Sequence, residues 1–162
     1  MANILYLVHR LPYPPNKGDK VRSYHLLKHL TRHHRVFLGT FIDDPEDEVH
    51  VPVVRALCAE LQIERLIPRK ARIASLNGLL AGEPLTLRYY RSPAIFDWVN
   101  RLCRANLIDA VVVFSAAMAQ YVEDFQRLPT LIDFVDVDSA KWVQYAPRHR
   151  WPMSWLYRRE GK

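Results

Sequence analysis

Residues 4–30 read ILYLVHRLPYPPNKGDKVRSYHLLKHL, and this stretch decides the fold. It opens with the apolar run Ile4–Val8, continues through a loop stiffened by three prolines, and then takes up a helical period over Lys20–His33. An apolar run that does not alternate is typical of a strand buried on both faces. The stretch therefore predicts a strand, a long loop and a helix, with Asp19 in a position to cap the helix.

The same alternation continues along the chain. Further apolar runs of strand length are Val36–Phe41, Ile63–Ile67, Ala110–Phe114 and Thr130–Val135. Helical spacing of apolar residues occurs at Val51–Leu61, with Pro52 in its first turn, and at Pro93–Arg104, which Ser92 precedes as a cap. Strands that alternate with helices require crossover connections, so we expect an α/β, Rossmann-like three-layer domain with a mainly parallel sheet.

Composition narrows the class of protein. The chain has 162 residues, of which 49% are hydrophobic and 25% charged, and this excludes a disordered or collagen-like chain. Its two cysteines, Cys58 and Cys103, form no CxxC motif, so neither a disulfide framework nor a structural metal is expected. The formal net charge is +6, but most of the excess lies between Ser139 and Lys162. A basic tail on a nearly neutral domain argues against nucleic acid as the partner.

The loop before the first helix offers one candidate ligand site. Neither GxGxxG nor GxxxxGK[ST] occurs, so ordinary dinucleotide and P-loop binding are not expected. Gly18 at a helix start permits close approach to free backbone amides, and Lys20 and Arg22 lie in the first turn, where a bound phosphate would offset their repulsion by the helix dipole. The alternative is a solvated turn with a flexible glycine, and the residues leave both interpretations open.

The run of carboxylates after the fifth strand is a second candidate. Asp136 and Asp138 point the same way in an extended chain, which allows a metal pair of the DxD type found in sugar transferases and phosphatases. A single aspartate could instead act as a general base, or one could simply cap the following helix. The phosphatase interpretation is disfavoured because its other motifs would have to follow within the few remaining residues.

Two further features are less specific. Small residues after Ser115 allow a ligand to approach the backbone or a short helix to pack closely on the sheet, and no GxSxG motif supports a serine nucleophile. His25, His29, His33 and His34 have the i, i+4 spacing of a metal site, but a solvated helix face is favoured because they flank charged residues.

Taken together, five segments resemble the N-terminal domain of GT-B fold glycosyltransferases of the family-4 type. The likeness is closest to the bacterial exopolysaccharide sugar transferases associated with PEP-CTERM systems. The segments are YLVHRLPYPPNKGDKVRSYHLL (6–27), GTFIDDPED (39–47), GEPLTLRYYRS (82–92), VVVFSAAMAQYV (111–122) and FVDVDSAKWVQYA (134–146). The resemblance implies an acceptor-side domain over residues 1–145, followed by a basic aromatic tail at 146–162.

The resemblance also implies an activity. Such an enzyme moves a sugar from a nucleotide-sugar donor to a lipid-linked or oligosaccharide acceptor, without a cofactor or required metal. A C-terminal GT-B domain would be the essential partner, because it holds most of the donor in this family, so the fragment alone is expected to be inactive. The implied location is cytoplasmic, at most peripheral to the inner membrane.

Site residues follow from the resemblance position by position. Gly18 matches the glycine of the first loop, and Lys17 stands where many members have a second glycine. Asp136 lies where many members place a histidine, which makes it the candidate base or orienting group. The expected substrate contacts are Ser115, Asp138, Arg88, Tyr89 and Tyr90, the last three in a loop with Gly82 and Glu83.

Two interpretations are open for the role of the tail, and two for the function of the chain. Trp151 and Trp155 interleave with arginines, which suits an anionic membrane surface, but packing on the missing domain is slightly favoured. The alternative to an enzyme is a non-catalytic, flavodoxin-like module that binds anions or docks a partner.

Overall fold

The computed structural model describes residues 1–67 and 85–134. The strands are β1 (Asn3–Val8), β2 (Arg35–Ile42), β3 (Glu60–Arg65), β4 (Ala110–Phe114) and β5 (Thr130–Asp133). The α-helices are α1 (Gly18–His33), α2 (Val51–Arg55), α3 (Leu85–Tyr89) and α4 (Pro93–Arg104), with 3-10 helices at Pro45–His50 and Ala116–Tyr121.

All pairs in the sheet are parallel, and the strand order is β3-β2-β1-β4-β5. β2 and β3 lie successively on one side of β1, and the chain then crosses over to place β4 and β5 on the other side of β1. The topology therefore reverses between β1 and β4, where Val8 lies beside Phe114 on one side and Thr40 on the other. Ligands of open α/β sheets bind at the carboxyl ends of the strands beside such a reversal.

Helices cover both faces of the sheet. On one face α4 packs its buried Trp98 and Leu102 over Leu5, Leu7 and Phe37. The opposite face carries a second core, in which α1 and α2 contribute Leu27 and Val54. In β1, β2 and β4 side chains of both orientations are buried, so these three strands read as continuous apolar runs. The predicted α/β, Rossmann-like fold with a parallel sheet is confirmed.

Gly39 in β2 shows how closely α4 lies on the sheet. A Cβ atom built on Gly39 would lie 2.8 Å from Leu7 Cδ2 and 3.0 Å from the Trp98 ring. Trp98 is further fixed by its indole Nε1, which donates to Glu60 Oε1 at 2.6 Å. The glycine therefore makes room for the indole.

The predicted boundaries of β4 and α4 are confirmed, and the Ser92 hydroxyl accepts from the Ile95 amide at 3.4 Å as the α4 cap. The helix predicted over Val51–Leu61 is wrong in extent, because it ends at Arg55. Leu61 fits the helical spacing but lies in β3, paired with Leu38.

The third strand begins three residues earlier than predicted, because the helix before it ends early. It covers Glu60–Arg65 instead of the predicted Ile63–Ile67, and Ile67 is exposed. The predicted fifth strand ends at Asp133, one residue before the described chain stops at 134. The boundary at 145 and the tail lie outside the described residues. Among the helices of the described ranges, none has the length and apolarity needed to cross a bilayer.

Candidate functional site

Polar side chains gather at the carboxyl edge of the sheet beside the topological reversal. His9 and Arg10 follow β1 directly, and Asp43 follows β2. Asp19 lies in the first turn of α1, and Tyr90 follows α3. We call these five residues the His9 cluster.

Aromatic neighbours hold the imidazole of His9 on two sides. Its ring stacks parallel to Phe114 with centroids 6.0 Å apart, and it meets Tyr90 edge to face at 5.7 Å. Nε2 lies 3.5 Å from Asp19 Oδ2, whereas Nδ1 is buried with no hydrogen-bond partner of good geometry in residues 1–67 and 85–134. The side chain is 15% exposed, so only a small part of the ring can meet a ligand.

Burial sets the charge of this ring. Burial lowers the pKa of His9 from its ordinary value of 6.5 and outweighs the Asp19 carboxylate, which raises it. Arg10 lowers the pKa further, while the Phe114 carbonyl and Asp43 oppose the shift. At neutral pH His9 is therefore an uncharged imidazole that can accept a proton or a hydrogen bond.

Asp19 faces His9 instead of capping α1, so its predicted capping role is wrong. The capping position belongs to Lys17, whose side chain makes no capping hydrogen bond. Burial raises the pKa of Asp19, but the amide of Lys20, at 3.0 Å from Oδ1, and the charge of Arg10 lower it by more. Asp19 is thus held as a carboxylate.

Arg10 joins two carboxylates from different elements. Its Nε donates to Asp43 Oδ2 at 2.8 Å, and its Nη1 lies 3.4 Å from Asp19 Oδ2. Burial lowers the pKa of Arg10, but Asp43 and Asp19 outweigh it, and the net shift is upward. The guanidinium therefore fixes the loop after β1 against α1 and the end of β2.

The cations predicted to bind phosphate have carboxylate partners. Lys20 is buried, and its Nζ donates to both oxygens of Asp47 at 2.6 and 2.7 Å. This pair removes Lys20 from the predicted anion site, because its ammonium group lies inside the protein. The predicted repulsion between its charge and the helix dipole is replaced by a buried ion pair.

Lys17 and Arg22 lie at the surface of the same edge. Lys17 Nζ is 3.9 Å from Asp44 Oδ2, and Arg22 Nη2 is 2.7 Å from Asp133 Oδ2 at the end of β5. Gly18 does not have a left-handed φ, and a Cβ atom added to it would meet no described atom within 4 Å. The fold itself therefore does not require glycine there.

Ser115 lies directly after β4 with φ 83°, a conformation that is strained for a residue with a side chain. Its amide donates to the Asp133 carbonyl at 2.9 Å and its carbonyl accepts from Met118, so both neighbouring segments fix the turn. Ser115 thus lies beside Phe114, which supports the His9 ring. The short helix predicted after it is confirmed as the 3-10 helix at Ala116–Tyr121.

The predicted acceptor residues of the described chain lie in and after α3. Tyr90 is buried against His9 and Phe41, and burial raises its pKa to about 12. The charge of Arg10 lowers this pKa and the charge of Asp43 raises it. Tyr89 packs edge to face on the Tyr90 ring, with the ring centroids 4.9 Å apart. Arg88 is half-buried one residue earlier.

The remaining predicted residues either lie elsewhere or are outside the described ranges. Asp136, Asp138, Gly82 and Glu83 fall outside them. The histidines of α1 are confirmed as a solvated face, since His25, His29 and His33 are exposed. Within the part of the chain that the structure describes, no group of three histidine, cysteine or carboxylate side chains is placed to hold a metal ion.

Sequence reasoning did not single out His9, Arg10 or Asp43. A usable signal was present, because each is a polar residue at the first or second position after a strand that is buried on both faces. Comparison with known proteins adds no assignment, since no family model, curated protein or solved structure matches the chain.

Proposed function

We propose that this chain is the N-terminal, acceptor-side domain of a glycosyltransferase. The reaction moves a sugar from a nucleotide-sugar donor to a lipid-linked or oligosaccharide acceptor in bacterial exopolysaccharide synthesis. The observation that carries the proposal is the His9 cluster at the topological reversal, where an α/β sheet of this order binds its ligands. The resemblance of the five quoted segments supports it independently.

The chemistry of the cluster suits a sugar. Asp19 and Asp43 present carboxylate oxygens, Arg10 presents N–H donors, and His9 and Tyr90 add ring surfaces. A sugar hydroxyl can donate to the carboxylates and accept from the guanidinium, while its C–H faces pack on the rings. Because the arginine is already paired with carboxylates, the cluster favours a neutral polyhydroxylated ligand over an anion.

This charge balance also supports the need for a second domain. Arg10, Lys17, Lys20 and Arg22 each have a carboxylate within 4 Å. Stabilisation of a departing nucleoside diphosphate requires positive charge where its negative charge develops. The proposal therefore places the donor-binding charges in a C-terminal partner domain, so that the cleft is complete only when both domains are present.

Three features of the proposal rest on the resemblance alone. Asp136 is the candidate orienting group for the reacting centre, Asp138 is a substrate contact, and Gly18 brings backbone amides close to the donor phosphate. No cofactor or metal is required, and the protein works in the cytoplasm, at most peripheral to the inner membrane.

The test uses the full-length protein that carries this chain, incubated with radiolabelled UDP-glucose, UDP-N-acetylglucosamine or GDP-mannose and a bacterial lipid extract. Transfer of label to lipid or oligosaccharide is expected for one donor. Asp43→Asn weakens the charged hydrogen bond to Arg10 and should lower transfer by roughly 10- to 100-fold, on the scale of such a bond.

Asp44→Asn is the matched control, because Asp44 is the next residue but lies at the surface, 3.9 Å from Lys17. It should transfer sugar at nearly the wild-type rate, and circular dichroism checks that both variants fold. A full-length protein that neither binds nor transfers any of these donors would overturn the proposal and favour a docking module. Asp136→Asn with normal activity would remove only Asp136.

A further inference from the structure

We propose that the Gln120 side chain is a positioning residue that fixes residues 87–91 in the conformation that binds the acceptor, and that Tyr121 assists it. We call residues 87–91 the acceptor segment, because the expected acceptor contacts of the described chain lie in it. The inference rests on the proposed function and assigns a role to two buried side chains that lie outside the His9 cluster.

The backbone of the acceptor segment takes hydrogen bonds from another part of the chain. The segment begins inside α3, a helix of five residues, and the last carbonyl groups of a helix have no partner within it. The carbonyl groups of Leu87 and Tyr90 accept instead from side chains of the 3-10 helix Ala116–Tyr121. Because a buried carbonyl without a partner is costly, these side chains hold the segment in its conformation.

Gln120 makes most of these contacts. Its Nε2 lies 3.0 Å from the Leu87 carbonyl oxygen, 3.3 Å from that of Tyr90 and 2.8 Å from that of Ala117 in its own helix. Its Oε1 accepts from Arg91 Nε at 3.2 Å. Carbonyl acceptors on one side of the amide and a guanidinium donor on the other fix its orientation. One side chain thus connects three residues of the acceptor segment to the 3-10 helix.

Tyr121 connects the same segment to the start of α4. Its hydroxyl donates to the Tyr90 carbonyl and accepts from the Ser92 amide at 2.9 Å. Burial raises the pKa of Tyr121, so the hydroxyl keeps its proton and remains a donor. The Tyr121 ring packs on Phe96 with the centroids 4.4 Å apart. Loss of the hydroxyl oxygen alone would therefore remove the connection and keep the packing of the ring.

The turn at Ser115 anchors the 3-10 helix that carries both side chains. The Ser115 amide donates to the Asp133 carbonyl of β5, and its carbonyl accepts from the Met118 amide in the helix. The helix is thus fixed to the ends of β4 and β5, and a side chain on such a support is held more precisely than one on a loop. Gln120 therefore transmits the position of the sheet to the acceptor segment.

Limited trypsin digestion of the full-length protein tests the positioning. Trypsin cleaves after Arg88 and Arg91, and cleavage within a folded chain requires local opening. Gln120→Met keeps a side chain of similar length without the amide, so cleavage at these two sites should become roughly 5- to 100-fold faster. Cleavage after Lys28, inside α1, reports global unfolding and should not change. Gln126→Met, at an exposed glutamine, is the matched control and should behave as the wild type.

Kinetics of sugar transfer by the same protein test the connection to the acceptor. The acceptor is the fraction of the bacterial lipid extract that takes up label, titrated at a fixed concentration of the donor that the protein transfers. For Gln120→Met we expect the apparent KM for this fraction to rise by roughly 5- to 100-fold with kcat near the wild-type value, because a loosened segment must be ordered again on binding. Tyr121→Phe should change both readouts in the same direction, and it does not depend on the folding of the Gln120 variant.

Several results would overturn the assignment. Cleavage after Arg88 and Arg91 could stay at the wild-type rate in both variants, or rise only in step with cleavage after Lys28. The KM for the acceptor fraction could also stay unchanged although the segment is cleaved faster. In each of these cases the role of Gln120 fails while the proposed function stands. A wild type that transfers no sugar overturns both.

Discussion

The buried pair Lys20 and Asp47 gives the clearest test of how this domain is held together. The two side chains are 2% and 7% exposed, and Nζ lies 2.6 Å from Asp47 Oδ2. Lys20→Met keeps a long apolar stem but removes the charge, so the Asp47 carboxylate is left buried without its partner. Breaking a buried pair in this way costs about 3 to 5 kcal/mol in the free energy of unfolding.

Lys17→Met is the matched control from the same end of α1. Lys17 also pairs with an aspartate, Asp44, but at 3.9 Å and with side chains 52% and 40% exposed. Solvent screens such a pair, so its loss should cost about 0 to 1 kcal/mol. The double variant Lys20→Met with Asp47→Leu should recover most of the lost stability, because it leaves no unpaired buried charge.

Urea unfolding followed by circular dichroism at pH 7 measures all of these variants. The expected result is a large fall in midpoint for Lys20→Met at unchanged slope, and a small fall for Lys17→Met. Equal losses for the two single variants would refute the reasoning, since burial would then not decide the strength of the pair. A double variant less stable than Lys20→Met would refute it as well.

Two further predictions concern packing and pH. Gly39→Ala should cost about 1 to 3 kcal/mol in urea unfolding because the new methyl group would crowd the sheet and α4, whereas Gly18→Ala, with open space around it, should not destabilise. The lowered pKa of His9 means that the unfolded chain binds a proton more readily, so stability should fall as pH drops below about 6.5. This part of the loss should vanish in His9→Gln. The pKa of Asp19 is also lowered, but its part of the loss appears only as pH falls below the ordinary value of 3.8. Identical profiles for wild type and His9→Gln between pH 7 and 5 would contradict the burial argument.

The fold could be predicted from the sequence because the patterns that indicate its strands and helices are local. The apolar run Ala110–Phe114 and the helix Pro93–Arg104 with its Ser92 cap were predicted to the residue. The error at Leu61 has a physical cause, since four-residue spacing from Leu57 satisfies a helical period although the residue pairs in β3. Periodicity cannot distinguish a buried strand residue from a helical one when the helix before it is short.

The ion pairs of the site could not be predicted from local sequence patterns. Lys20 and Asp47 are 27 residues apart, and Arg10 and Asp43 are 33 residues apart, so no local pattern pairs them. The first-turn lysine was therefore predicted to face a ligand, whereas it points into the protein.

What the sequence does contain is the position of polar residues relative to buried strands. In a parallel sheet, all strands end at one edge, so the residues that follow them meet there although they are distant in the chain. His9 after β1 and Asp43 after β2 obey this rule, and Arg10 reaches across to join them through Asp43. The strand order then decides which of these residues matter, because open α/β sheets bind their ligands beside a reversal, and here the reversal lies at β1, next to His9. The candidate site is thus a consequence of topology, and chemistry enters through the residue types that the chain places at the first positions after its central strands.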